Sequence, residues 1–469
     1  MGEWTMSSRI SPILRRLRDL HHDRRGNVTV MMGFLLPPLI GTFGLGFEVA
    51  NWYLITRSMQ NAADSAAVAV ATTAGTNYLT EARAVAAQYG FVDQTNNVTV
   101  TASNTAACPG GGNTCYSVTI TRTLPLFLSQ IIGYPGNVTS TQTNAQQQTI
   151  TVHEQKQKLT STAVASQSSI QVPLCLLALG TSGAQDIVTN GNPHANMSGC
   201  SVMANTSARC NGGNLGAPYG LAHNTDSGCG VIQVSGVPQV ADQYAALASN
   251  IPSDALSSCG GSFPQIPTHH NDPALPSGNV WATGTRSLSG NVVVCGDQQL
   301  SGDVTIDAPA GAVLIIENGQ LDLAGHTLRT SSGSGLTIVF SGSSGSYTHG
   351  PTGSANNSTL DIAAPTSGAW SGIAMYQDPN LTTGVDLSAA GNNPTWKISG
   401  LIYMPHSNVT LSGAVDKSSN GQACFVMVMD TITINGTGDV LAGNTPANCS
   451  AAGVNLPYAT VPGRGQLVS

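Results

Sequence analysis

From Val28 to Val49 the chain runs for 22 residues with one charged side chain, Glu48, near the far end. Wound as a helix at 1.5 Å per residue, that stretch reaches about 33 Å, the thickness of a bilayer's hydrocarbon core. A cleaved export signal fits it poorly: its apolar region would be shorter, and a cut after Ala50 would leave Glu48 at the −3 position, where small residues are required. The run is therefore read as a retained transmembrane helix over residues 26–50, with Val28, Pro37, Pro38, Glu48 and Trp52 as its defining anchor residues. Pro37 and Pro38 remove backbone donors in mid-span and predict a kink, while Gly33, Gly41, Gly44 and Gly46 leave small faces for close helix contact.

Charge orients the span. Residues 1–25 carry six arginines against three acids, a net of +3, and only Arg57 follows closely on the other side. By the positive-inside rule the N-terminal tail is cytoplasmic and the remaining 420 or so residues lie across the membrane. Residues 51–469 have a net charge of −9, which leaves no basic patch for nucleic acid. All ten cysteines lie beyond the apolar run, which points to an oxidising compartment. Of their pairings, Cys108 with Cys115 is the one that local sequence supports, because "PGGGNT" between them is a turn. No C-x-x-C occurs, so zinc is not expected, and no cofactor is implied.

Past the span, Trp52, Ile55, Met59, Ala63, Ala66 and Val70 recur at helical spacing with Arg57, Asn61 and Asp64 opposite, so the helix should continue unbroken beyond the membrane. A second helix is predicted over "TEARAVAAQYG", with Thr80 as its cap and Gly90 as its stop. Alternation in "NVTVTAS" and "CYSVTITR" predicts a hairpin around the Cys108–Cys115 turn, and "LPLFLSQIIGYPGNVTSTQTNAQ" an apolar turn and a further strand. These make a small α+β module over 51–143. Residues 144–169 are polar and lack a sustained apolar period, and are read as a linker.

The remainder is expected to be β-rich and disulfide-stapled, a Cys-rich region over 170–275 followed by a domain over 276–469. Charged residues are only 9% of the chain and glycines number 53, a composition of turn-dense exported β proteins. Short runs such as "LDLAG", "LTIVFSG", "GLIYMP" and "FVMVMD" end repeatedly in glycine or another breaker. Closely spaced short strands with almost no edge lysine favour a parallel β-helix-like solenoid; the alternative is a β-sandwich.

Candidates for chemistry are few. Asp303, Asp307 and Asp322 fall on or beside successive strands and could converge on a sugar, although such carboxylates more often cap turns. His269, His270 and Asp272 in "THHNDP" could ligate a metal but sit in a proline-flanked loop, and His326 reads as a turn residue. There is no G-x-S-x-G elbow and no Walker A sequence.

The order of arginine pair, glycine, "NVTVM", proline-containing apolar run, Glu48, aromatic pair and "NAADSAAVAVA" resembles the N-terminal segment of TadG-like proteins of the tight-adherence (Tad/Flp) pilus assembly system. The resemblance is specific over about residues 23–75. It implies a non-enzymatic, bitopic inner-membrane protein with a large periplasmic part, whose partners are the membrane and pilin-like or Tad assembly proteins. Gly26 followed by Asn27 would suit prepilin-type processing, but the fifth residue after such a cut is Met31 where pilin-like segments carry glutamate, which favours an uncleaved anchor. Some family members carry a metal-adhesion motif, D-x-S-x-S; here "DKSSN" ends in Asn420. The alternatives from other classes are a surface adhesin binding cell-envelope glycan and, third, a carbohydrate-active β-helix enzyme. Glu48 is expected either to meet a partner's basic group or to reach the headgroups.

Overall fold

The structure is a computed structural model and describes residues 27–108, 114–143, 147–191, 194–343, 346–352, 358–381, 395–412, 415–417, 424–435, 439–442 and 445–468. The basic tail 1–25 and Gly26 lie outside these residues. The chain divides into two compact units, residues 1–169 with 462–469, and residues 170–461.

The first unit is built on one long helix, α1 (Asn27–Thr73), which runs without interruption through Pro37 and Pro38. Its two halves differ as the apolar period predicts. Over 31–54 the side chains are mostly exposed, among them Phe34, Phe43 and Phe47, each at least 74% accessible. Over 59–71, Met59, Ala62, Ala63, Ala66, Ala67, Val70 and Ala71 are fully buried. They pack with a second helix, α2 (Tyr78–Gln88), against the inner face of an antiparallel sheet of β1 (Val98–Ala106), β2 (Cys115–Pro125) and the first part of β5 (Lys156–Ala178). Val98 opposite Arg122 and Val100 opposite Ile120 set the register of the expected hairpin, and Cys108 is bonded to Cys115. A separate hairpin, β3 (Thr139–Thr143) with β4 (Thr149–His153), precedes β5.

Two expectations for this unit need correction. Thr80 does not cap α2; the helix begins three residues earlier, after Asn77, and Thr80 lies in its first turn. Its C-terminus does end on Gly90, at φ +87°, with Gly90 N–H donating to Ala87 O and Phe91 N–H to Ala86 O, the paired bonds of a Schellman motif. Nor is 144–169 a linker. Residues 156–166 pair continuously with β2, from Lys156 opposite Pro125 to Ser166 opposite Cys115. The alternation is real, but its inward positions are Leu159, Ser161, Ala163 and Ala165, three of them too small or polar to register as an apolar period.

In the second unit the stacked strands pair in parallel, whereas a β-sandwich is antiparallel. The main ladder stacks Gly290–Cys295, Ala312–Glu317, Leu336–Ser341, Ile373–Gln377, residues 400–412 of Thr395–Ser412, and Phe425–Asn435. Its register lines up Val292, Leu314, Ile338, Met375, Ile402 and Met427, one above another, so each strand buries its apolar positions on the next. A second ladder runs alongside through Gly284–Ser287, Val304–Asp307, Thr327–Thr330 and Thr359–Ala363. A third, of shorter strands, links Val280–Trp281, Gln298–Leu300, Leu321–Asp322 and Pro351–Thr352.

The ladder does not stop at Phe425–Asn435. On its far side Met427 pairs with Leu176 at the end of β5, and Leu176 in turn with Val202, so strands from the early part of the unit continue the stack begun by the late part. That splice is why the boundary expected at 275/276 is absent and residues 170–461 share one core. Four disulfides fasten this unit: Cys175–Cys200, Cys210–Cys229, Cys259–Cys295 and Cys424–Cys449.

Candidate functional site

Asn27 and Val28 open α1, and Trp52 leaves the apolar half with its ring 6.0 Å from that of Tyr134, whose hydroxyl donates to Gln157 Oε1 at 2.9 Å. Glu48, 6% exposed, has its partners within its own chain. Its Oε1 accepts the Phe127 N–H at 3.0 Å, and its Oε2 accepts the N–H groups of Leu128 at 2.9 Å and Ser129 at 2.8 Å. Three consecutive backbone donors are thus gathered on one carboxylate, an arrangement that satisfies groups the chain otherwise leaves open at the start of the 3-10 turn Ser129–Ile132. A partner's basic group is not needed to account for Glu48. Just below the clasp, Gly44 lets the loop lie against α1: a Cβ there would stand 2.7 Å from Leu128 Cδ1.

The carboxylates considered for sugar chemistry are each committed to local structure. Asp303 accepts the Thr327 N–H at 2.9 Å and stands 3.9 Å from His326 Nδ1; Asp307 accepts the Ser331 hydroxyl at 2.9 Å; Asp322 accepts the Gln299 amide at 2.9 Å and the Ala324 N–H at 3.0 Å. His326 follows a turn in which Ala324 and Gly325 both have positive φ. In "THHNDP", Asp272 accepts the N–H groups of Thr268 at 2.9 Å and His269 at 2.7 Å, which holds its carboxyl below the usual range, and His269 is 83% exposed. Among the described residues no three His, Cys, Asp or Glu side chains cluster as metal ligands. Of "DKSSN", Asp416 and Lys417 belong to the strand Val415–Lys417, and residues 418–420 lie outside the described residues.

Two features of the second unit leave little mark on the sequence. One is a groove of about 660 Å³ lined by Pro309, Gly311, Ser334, Gly335, Pro365 and Ala452 among other small residues, without an acid, base, thiol or aromatic ring. The other is a buried polar cluster. Glu317, 1% exposed, closes an otherwise apolar strand, and burial pushes its carboxyl up to about 7, with the charge of Asp378 adding to the shift. Beside it, Asn318 Oδ1 lies 3.3 Å from His349 Nε2, and burial holds His349 below the usual imidazole range. Such shifts mark many active sites, but both side chains are sealed and neither lines the groove. A charge ending the strand "AVLIIE" was the signal available in the sequence.

The site that the architecture offers is therefore the long helix with its clasped loop: a helix long and apolar enough to cross a membrane over Met31–Thr73, whose second half is the spine of an α+β unit. Residues 26–73 match the family model of Flp pilus-assembly TadE/G-like proteins, a match that starts one residue before α1, ends with it, and is consistent with a TadG-like protein. No curated protein and no solved structure matches the chain.

Proposed function

We propose that this chain is a non-enzymatic, single-pass inner-membrane component of Tad/Flp pilus assembly, with its N-terminus in the cytoplasm and its β-rich body in the periplasm. The observation that carries the reading is the change along α1 from exposed apolar side chains over 31–54 to a buried alanine-rich face over 59–71. One half of the helix is suited to lipid or another apolar helix, and the other is fixed in its own sheet. The stacked parallel strands of the body suit a solenoid that acts as a mechanical spacer, its four disulfides keeping it folded outside the cytoplasm. A mechanical role is supported by the employment of Asp303, Asp307 and Asp322 in capping and by a groove without titratable lining.

Deletion of the gene from its own host is expected to abolish pili, with full-length protein restoring them. In spheroplasts the body should be digested by added protease while the N-terminal tail is protected. Normal piliation in the deletion strain, or a protected body, would overturn the proposal.

A further inference from the structure

The loop that Glu48 clasps has an unusual surface. Residues 126–134, "LFLSQIIGY", contain no charge, and Phe127, Ile131 and Ile132 are 67%, 75% and 55% exposed. Their position along α1 is fixed by three contacts. Glu48 holds the N–H groups of residues 127–129, Leu128 lies against Gly44, and Ile132 Cγ2 stands 3.8 Å from where a Cβ on Gly41 would be. The loop therefore descends α1 from Glu48 towards Gly41, seven residues or about 10 Å back into the apolar run. At that depth it is level, along the helix axis, with Phe43 and Phe47, which are themselves exposed.

Irregular backbone facing hydrocarbon is tolerated only where its polar groups are satisfied. Seven of this loop's nine backbone N–H groups have acceptors. Leu126 N–H donates to Gln155 O, residues 127–129 donate to Glu48, Ile131 donates to Leu128 O, Gly133 to Gln130 O and Tyr134 to Ser129 O. The same bonds neutralise the cost of placing a carboxylate at this level, since Glu48 is covered and triply hydrogen-bonded.

We propose that residues 126–134 form a membrane-inserted wedge, with Phe127, Ile131 and Ile132 among the acyl chains of the leaflet on the side of the body, and with Glu48 as the residue that positions it. The wedge rests on the reading of α1 as a membrane span. It gives the first unit a second hold on the bilayer besides the helix, one that would fix the rotation of α1 relative to the membrane. Lipid is favoured over a protein occupant because the exposed side chains continue, at the same level, the apolar surface of a helix that lipid surrounds.

The test places photoreactive benzoylphenylalanine, one site at a time, at Phe34, Phe127, Ile131 and Tyr89 of the full-length protein in vesicles of phosphatidylethanolamine and phosphatidylglycerol, and reads adducts by mass spectrometry after irradiation. Lipid adducts are expected at 34, 127 and 131, and none at 89. Adducts at 34 without adducts at 127 and 131, or crosslinks from 127 and 131 to a second protein, would overturn the wedge and leave the anchor standing. No lipid adduct at 34 would overturn the anchor and the wedge together. In Glu48→Gln and Gly44→Leu backgrounds the yield at 127 should fall severalfold while that at 34 holds; undiminished yield at 127 would remove the clasp from the proposal.

Discussion

Glu317 ends a strand, Ala312–Glu317, whose every residue is buried, and its Oε2 has no hydrogen-bond partner among the described residues. Burial first, and Asp378 second, raise its carboxyl from 4.5 to about 7. Because the folded pKa lies above the unfolded one, the folded chain holds a proton that the unfolded chain releases between those values. Stability should therefore fall as pH rises from about 4.5 to about 7 and remain lower above that. The shift corresponds to about 3 kcal/mol at most. Glu317→Gln keeps the shape and removes the charge, so it should raise stability by about 1–3 kcal/mol at pH 8 and change little at pH 5. Denaturant midpoints at the two pH values check this; an equal effect at both would place the cause elsewhere. Glu48 is the contrasting carboxylate, because three backbone donors meet it while none is seen at Glu317 Oε2.

Among the elements, α1 was legible in the sequence and β5 was not, and packing explains both. The buried face of α1 is made largely of alanines that repeat at helical spacing, and five of them, Ala62, Ala63, Ala66, Ala67 and Ala71, are fully buried against the sheet and α2. The facing positions of β5 are correspondingly small, Ser161, Ala163 and Ala165, which is what hid the strand. Close approach of helix and sheet thus made one partner visible and the other invisible. Ala66→Leu should cost about 1–3 kcal/mol by overpacking this interface, whereas Asn61→Leu on the exposed side should be near neutral. Chemical denaturation of the two variants beside the wild type measures the difference, and similar losses from both would remove the packing argument. The short body strands were legible from their breakers. Their order was not, since nothing local to Met427 announces that its far neighbour is Leu176. In sequence the clasped loop is only an apolar turn, because its signal, uncharged sequence that stays exposed, appears only when burial is known.

At the scale of the whole molecule, the two units rest on separate buried clusters, one around the alanines of α1 and one along the parallel ladders. A cooperative unfolding unit is a set of residues sharing one core, so two clusters predict two transitions. The disulfides are divided in the same way, with Cys108–Cys115 in the first unit and the other four in the second. Calorimetry of full-length protein in detergent should accordingly resolve two events. Replacing Cys175 and Cys200 by serine opens a loop with a sequence separation of 25, which in the chain-entropy account costs about 3 kcal/mol. That change should lower one transition and leave the other in place. Ala66→Leu should do the converse, lowering the transition that the cysteine variant spared. A single event displaced by both substitutions would mean that β5, which continues from one unit into the other, couples them into one cooperative body.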